Sequence, residues 1–512
     1  MAARRVSVDT PGWVRDAAFY QIFPDRFAAS ERVPKPGAVE PWDTPPTTHG
    51  FKGGDLLGIV EHLDYLEDLG INSIYMTPIF QSASNHRYHT YDYFKVDPLL
   101  GGDAALRELL DRAHERGMRV VLDGVFNHTG RGFWPFHHIL EAGAASPYRD
   151  WFHLDPDVLA GHRLLTPYPP MDAPTGFSLG YKAWWGLPAL PKINTAHPDA
   201  REYLLSVAEH WLRFGIDGWR LDVPQEIKDP SFWAEFRRRC RAIRPDAYLV
   251  GEIWDVAPDW VGDDSFDALM DYPLGEAILG FVGGPSLDLG VVRSHHEYRK
   301  HLRALDGPGF AARLAHLLGI YDPDVVSVQL NLIGSHDAPR ALTVLGGDLA
   351  ALRMATLLQC TLPGAPSVYY GDEIGLTGGN DPANRGSFPW DPARWNDELR
   401  PFVRSLLHLR TAEPALRHGS TLAVAAEGPA LAFERRFDGR RLVVALNAGI
   451  ETVVLDATFE GVARGRLEPI ELDRSRAAGL AGDAGDPVDV LAGAARIRVP
   501  ARTGLVLRLA DR

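Results

Sequence analysis

Cysteine is almost missing from this chain. Cys240 and Cys360 are the only two among 512 residues, which excludes a disulfide framework and a cysteine-ligated metal cluster. Positive charge is also in deficit. The 53 Lys and Arg against 67 Asp and Glu leave a formal net charge of −14, so no basic field exists to draw in nucleic acid or an anionic membrane surface. No stretch approaches the roughly 18 uncharged apolar residues that a membrane helix needs. The opening MAARRVSVDTPGWVRDAAFY carries an Arg pair with no apolar segment behind it. A secretory signal is therefore not expected, and a cytoplasmic location is. What is present is an ordinary folded composition, 45% hydrophobic, 23% charged and 10% aromatic. The length suits one large core with smaller satellites.

Short β-rich apolar runs alternate with segments of helical period. The runs are 17–23, 71–77, 119–123, 218–222, 248–252, 268–271, 327–331 and 367–370. Between the first two, Leu56, Leu57, Val60, Leu63, Leu66 and Leu69 recur at helical spacing before Gly70, a C-cap signal. After the second, Asp103 is placed to cap a helix whose Leu106, Leu109, Leu110 and Ala113 make one face. Eight strands with helices between most of them predict a closed (β/α)8 barrel, with an open doubly wound sheet as the alternative. Such a barrel carries its chemistry on the C-terminal strand ends and the loops after them.

The stretch between the third strand and the helix near Asp199 is too long for a βα loop. Residues 128–195 are therefore read as a small domain inserted after strand 3, with 1–127 and 196–411 forming the barrel. From 412 to 512 the pattern turns to alternation, and Asp438-Gly439 marks a hairpin turn between 431–437 and 441–446. This predicts a C-terminal antiparallel β-sandwich. The Ala/Gly/Asp-rich stretch 477–485 reads as a loop.

Polar residues gather at the predicted strand ends: Asp123, Asn127 and His128 after the third, Arg220 and Asp222 on the fourth, Glu252 on the fifth, His336 and Asp337 after the seventh. Arg220 and Asp222 share a strand face, so the guanidinium is expected to keep that carboxylate ionised. Glu252, in Gly251-Glu252-Ile253-Trp254, has an apolar and aromatic setting that raises a carboxyl pKa. Glycosidic bond cleavage uses two carboxylates in unlike environments, one attacking the anomeric carbon and one protonating the leaving oxygen. Taken singly, each of these residues is more simply a solvated or paired loop residue. Their joint placement on one barrel end is what points to chemistry.

The segments DGVFNH (123–128), GWRLDVPQE (218–226), GEIWD (251–255) and LIGSHD (332–337) resemble, in order, the four signature regions of the α-amylase superfamily, glycoside hydrolase family 13. LPKIN (190–194), GINSIYMTP (70–78) and GAPSVYYGDEIG (364–375) resemble its additional regions. The resemblance implies Asp222 as nucleophile, Glu252 as general acid/base and Asp337 as the carboxylate that holds sugar hydroxyls. It further implies that Arg220, His128 and His336 surround the sugar in subsite −1, with Tyr88 stacked on it. YQIFPDRF (20–27), Glu226 and GDEIGLTGGNDPANR (371–385) are most similar to the neopullulanase, cyclomaltodextrinase and maltogenic amylase group. In that group Asp381 and Arg385 match an extra pair near subsite −1, and Trp254 matches the acceptor-side aromatic platform.

The implied activity is retaining hydrolysis of α-1,4 bonds in maltooligosaccharides, with pullulan and cyclodextrins as further candidate substrates. An exo-acting α-glucosidase, or a glucosyl transferase or isomerase on sucrose or trehalose, uses the same residues. A non-catalytic carbohydrate-binding protein is the reading from another class. The expected partner is an α-glucan oligosaccharide, bound by a monomer or homodimer. Three departures stand out. The group's N-terminal β-domain does not precede the barrel here, Pro224 follows Val223 where a backbone donor is usual, and residues 28–43 lack the clustered Asp and Asn of a calcium loop. No organic cofactor and no metal is expected, although Asn127 resembles one ligand of the superfamily's shared calcium site. His86, His89, His137, His138, His295 and His296 are read as solvated or hydrogen-bonded rather than as ligands. Trp184 and Trp185 either stack on sugars or pack the inserted domain.

Overall fold

Period-2 alternation places the barrel. In the computed structural model, which describes residues 8–35, 37, 39–174, 176–472 and 487–511, eight short parallel strands carry it. They are β1 (Phe19–Ile22), β2 (Ser73–Met76), β3 (Arg119–Gly124), β4 (Gly218–Leu221), β5 (Tyr248–Gly251), β6 (Ala268–Leu269), β7 (Leu330–Asn331) and β8 (Ala365–Tyr369). Their order is β6-β5-β4-β3-β2-β1-β8-β7. The two ends join where Met270 pairs in parallel with Leu330 and the Asp271 N–H donates to the Leu330 carbonyl at 2.9 Å. The sheet is thus closed into a (β/α)8 barrel, as the alternation predicts, and the open sheet is excluded.

Side chains alternate across the barrel wall. Tyr20, Ile22, Ile74, Met76, Val120, Leu122, Trp219, Leu221 and Leu249 point outward into the layer shared with the helices. Phe19, Tyr75, Val121, Tyr248, Val250 and Met270 fill the interior. Below them Trp13, Phe19 and Tyr248 form an aromatic plug with ring centres about 6 Å apart (6.0, 6.0 and 5.8 Å). Going up each strand by two residues from this apolar floor brings Gln21, Asp123, Arg220, Asp222 and Glu252 onto the same inner face at the C-terminal rim.

Two local expectations need correction. The helix read through 56–69 is broken at His62 into Leu56–Glu61 and Leu63–Leu69. Gly70 then caps it at φ 96°, the left-handed conformation that glycine adopts freely. Asp103 is not the N-cap of Gly102–Glu115. It lies in the first turn, where its Oδ1 accepts from the Val96 N–H at 2.9 Å.

Between β3 and the helix Pro198–Phe214 the chain leaves the barrel. This excursion is held together by isolated bridges, His128 with Lys192, Phe152 with Ile193, Leu154 with Tyr181 and Ala183 with Pro191. Phe133, Phe136, Ile139 and Phe152 pack its small core onto the barrel's outer layer. At the other end, helices Leu399–Ala412 and Pro414–His418 carry the helical pattern past residue 411 before the final sheet begins.

That sheet is antiparallel and eight-stranded: β9 (Ser420–Glu427), β10 (Ala430–Phe437), β11 (Arg440–Asn447), β12 (Val453–Thr458), β13 (Arg464–Pro469), β14 (Val488–Leu491), β15 (Ala494–Val499) and β16 (Thr503–Asp511). The hairpin β10–β11 turns at Asp438 and Gly439, both with positive φ (46° and 74°), the geometry that an Asp-Gly pair favours. The order β9-β10-β11-β16-β13-β14-β15-β12 folds over so that β9 and β10 pack on β12. Ala432, Val443, Ala445, Leu455, Leu467 and Ile497 are enclosed between the layers. The stretch 477–485, read as a loop, lies outside the described residues. Two buried arginines gather the chain where the barrel meets this sheet, Arg410 from the helix Leu399–Ala412 and Arg435 from β10. Arg410 donates to the carbonyls of Cys360, Leu362 and Gly364, and Arg435 to those of Thr361 and Gly419. They satisfy the carbonyls that the end of helix Leu349–Thr361 leaves open.

Barrel closure leaves no room at Gly218, where a Cβ would sit 2.2 Å from the Tyr248 carbonyl oxygen on the paired strand. Because that neighbour is backbone, it cannot swing away. Gly218→Ala is expected to lower unfolding free energy by about 3 kcal/mol, read as a shift of the urea midpoint. An unchanged midpoint would mean that β4 and β5 part at no cost.

Candidate active site

One buried cation organises the rim. Arg220 on β4 is fully buried, and its Nη1 donates to both oxygens of Asp123 (3.1 and 3.0 Å) and to Asp222 Oδ1 (3.2 Å). Its Nη2 lies 3.0 Å from Glu252 Oε2 and 3.9 Å from Asp337 Oδ2. Asp123 and Arg220 are register partners in neighbouring strands, so strand pairing itself brings them together. Asp123 also accepts from the hydroxyls of Tyr75 (3.0 Å) and Tyr88 (2.9 Å).

Glu252 is held from two further directions. The Val223 N–H donates to Oε2 and Trp254 Nε1 to Oε1, both at 3.2 Å. Val223 sits at φ 35°, ψ 52°, a left-handed conformation. For a β-branched residue just before a proline this is unfavourable on two counts, at a cost of about 1–3 kcal/mol. The strain turns the Val223 amide toward Glu252, directly after Asp222. Trp254 is half-buried and stacks on Tyr272, ring centres 3.6 Å apart and planes within 12°.

Around Asp337, His336 Nδ1 accepts from Gln21 Nε2 at 2.8 Å, which leaves the ring proton on Nε2. That Nε2 is 2.5 Å from the Tyr88 hydroxyl and 3.1 Å from Asp337 Oδ2. Arg385 donates to the His336 carbonyl (2.9 Å), lies 3.5 Å from Asp337 Oδ1 and pairs with Asp381 at 3.0 Å. Asn384 Nδ2 secures the same loop through the carbonyls of His336 (2.7 Å) and Ala338 (2.9 Å).

Burial decides the protonation states. It raises the Glu252 carboxyl to about 7, Arg220 opposing and Asp337 adding to the rise. The sequence-based expectation for Asp222 is corrected: burial and the Glu252 charge outweigh Arg220, and its carboxyl stands well above the ordinary value. Burial thus pushes both carboxyls toward the neutral form. Burial, with Arg385 and Arg220 nearby, holds His336 well below its usual value and hence neutral. Burial takes His128 down to about 3.

Asp222, Glu252, Asp337, Arg220, Tyr88, His336, Trp254, Asp381 and Arg385 thus form one connected cluster. His128 joins it through rings, stacked on Trp184 at 5.1 Å. The sequence places Asp123 at the rim without giving it a role, and it does not single out Gln21, Tyr75, Val223 or Asn384 as parts of the site. Asp123 and Gln21 carried a usable signal, since each lies two residues above an inward apolar strand position.

The resemblance raises a calcium loop at 28–43 and a shared calcium site near Asn127. Among the described residues no group of three His, Cys, Asp or Glu is arranged to hold a metal. Beside the 28–43 loop the oxygens face a side-chain cation instead. The buried Lys52 Nζ donates to the carbonyls of Pro41 (2.8 Å) and Thr44 (2.8 Å) and to Thr44 Oγ1 (2.6 Å), with Glu40 Oε2 at 3.3 Å.

The chain belongs to the alpha-amylase family, whose catalytic domain matches residues 21–412. It is a glycoside hydrolase of the neopullulanase and cyclomaltodextrinase type. A cyclomaltodextrinase of Geobacillus thermopakistaniensis is 44% identical over 447 residues, 87% of this chain and 69% of that one. Among solved structures, a Thermus thermophilus protein, Ttha1563, superposes with a TM-score of 0.86 at 44% identity, covering 97% of this chain and 99% of that one. A debranching enzyme of Nostoc punctiforme gives a TM-score of 0.84 at 43% identity, covering 98% and 100%.

Lys52→Met removes a cation from oxygens that have few other donors. It is expected to cost about 2 kcal/mol of stability, measured by urea unfolding, and calcium should not restore it. Full recovery with calcium would show that the oxygens form a metal site after all.

Proposed function

We propose that this enzyme hydrolyses α-1,4 bonds of maltooligosaccharides with retention of anomeric configuration, pullulan and cyclodextrins being further substrates. The observation that carries the reading is the single guanidinium of Arg220 shared by Asp222 and Glu252. It keeps two carboxyls side by side, one placed to attack and one to protonate. In the first step Asp222 Oδ2, the oxygen that Arg220 does not hold, attacks the anomeric carbon. The bond to the leaving oxygen breaks, and the Glu252 proton passes to that oxygen. In the second step Glu252 takes a proton from water, whose oxygen attacks the same carbon and releases Asp222.

Asp337, steadied by Arg385 and His336, accepts from sugar hydroxyls in subsite −1. Tyr88 stacks on that sugar, and His128, whose buried Nε2 has no partner among the described residues, donates to or accepts from one of its hydroxyls. Asp381 and Arg385 extend the polar wall, and Trp254 supports the leaving sugar. Two carboxyls suffice for double displacement, so the reaction as proposed uses no organic cofactor. A second reading, cleavage at α-1,6 branch points, is favoured by the name of the Nostoc punctiforme enzyme, a debranching enzyme.

Chromatographic time courses with maltotriose, γ-cyclodextrin and pullulan test the reading beside Asp222→Asn. Wild type should cleave at least one, and the variant should lose activity by roughly a thousandfold or more. Pullulan separates the linkages: panose is the product of α-1,4 cleavage and maltotriose that of α-1,6 cleavage. Intact substrates throughout would overturn the proposal.

The acid also predicts a pH profile. Glu252 must be protonated in the first step and loses its proton near 7, so kcat/KM should fall about tenfold per unit above that pH. A flat profile to pH 9 would exclude Glu252 as the acid.

A further inference from the structure

The rings around the site continue beyond Trp254. In the excursion after β3, His128 stacks on Trp184 (5.1 Å, 14°) and Trp184 on Trp185 (4.7 Å, 13°). Trp185 then meets His296 almost at a right angle (5.2 Å, 86°). His296 lies 5.0 Å from His295, and His295 lies 5.7 Å from Trp254. The rings form an arc from His128 to Trp254, the indole that donates to Glu252. Its middle joins two separate excursions, one leaving the barrel after β3 and the other after β6.

Packing does not account for Trp185. Trp211, Trp219 and Trp233 are essentially buried, whereas Trp185 is 66% exposed. It also has φ 51°, a left-handed conformation that a non-glycine residue avoids unless its surroundings impose it. A large flat ring fixed in a strained conformation, with one side on a neighbouring indole and the rest in water, suits stacking on a ligand. The His296 side is fixed as well. His295 Nε2 donates to the Asp337 carbonyl at 3.0 Å, and Asn380 Nδ2 donates to the Ser294 carbonyl (3.3 Å) and Oγ (3.0 Å). The Trp254 side of the arc is therefore registered against Glu252 and the Asp337 backbone.

We propose that Trp185 and His296 form a sugar-binding corner on the leaving-group side of the cleft, selecting α-glucans that extend at least two glucose units beyond the cleaved bond. This rests on the hydrolase reading above and adds a chain-length preference to it. The side is set by Trp254, which touches the group that protonates the leaving oxygen and opens the arc toward His296. Trp185 offers its face to the C–H face of a pyranose, and His296 offers a ring nitrogen to a hydroxyl at right angles to it. His296 Nε2 is 3.3 Å from Glu297 Oε1, so Nδ1 is the atom left for the sugar.

The test compares maltopentaose with α-maltosyl fluoride, whose leaving group carries no sugar into the corner. In Trp185→Ala the ratio of kcat/KM for maltopentaose to that for maltosyl fluoride should fall at least tenfold. His296→Ala should lower it severalfold, and Trp185→Phe should restore it to within threefold of wild type. A role confined to folding would depress both substrates equally and leave the ratio unchanged, which would overturn the proposal. Calorimetric titration of maltopentaose into Asp222→Asn, with and without Trp185→Ala, decides the point independently of turnover. Tenfold weaker binding supports the corner even if the hydrolase reading fails, and unaltered binding rejects it even if that reading stands.

Discussion

The rim of this barrel depends on one buried guanidinium. Arg220 reaches Asp123, Asp222 and Glu252 at close to 3 Å (3.0, 3.2 and 3.0 Å) and Asp337 at 3.9 Å. Four carboxylates at such distances would repel one another, and burial strengthens the repulsion by lowering the local dielectric. A single fixed positive charge with planar, forked donors offsets part of it and dictates where each carboxyl must sit. Burial, with Asp337 adding to the rise against Arg220, keeps Glu252 protonated up to about pH 7. Arrangement thus follows from the ion, and protonation from burial working against it.

The barrel contains other buried carboxylates, and they show what a purely structural role looks like. Asp217, just before β4, is held by Arg119 (2.9 Å), Arg244 (2.7 Å) and His114 (2.8 Å). Asp267, just before β6, is held by Arg237 and Arg241, both at 2.6 Å. At that end of the strands each acid has two or more cations. At the opposite end several acids share one. Well-neutralised acids at one rim serve to hold strands and helices together, whereas under-neutralised acids at the other are left with oxygens free for a ligand.

Two strained residues stand at the same rim. Val223 and Trp185 both have positive φ, 35° and 51°, and neither is a residue that chooses such a conformation. Val223 aims an amide at Glu252, and Trp185 turns an indole outward beside the cleft. Their cost is borne by a well-packed scaffold beneath, the outward apolar layer and the aromatic plug of Trp13, Phe19 and Tyr248. Local propensity and global structure disagree where a site needs an unusual direction.

Period-2 and period-3.6 patterns were enough to read eight strands, their covering helices and the change to hairpins near the end, because burial of one face imposes those periods whatever the tertiary detail. The signature segments likewise announced Asp222, Glu252 and Asp337 and their neighbours, since each sits on a short strand or directly after one. Other features had no local signature. Asp103 looked like a cap until Val96 claimed it, and Arg220 looked sufficient to ionise Asp222 until Glu252 proved to share the guanidinium. Gln21, Tyr75 and Asn384 gained meaning only when barrel closure and loop packing brought residues far apart in the chain into contact. The sequence determined which residue types stand at the rim and in what order. The tertiary structure alone decided their distances, and with them the charge balance, because electrostatic coupling depends on separation and burial, neither of which is written along the chain.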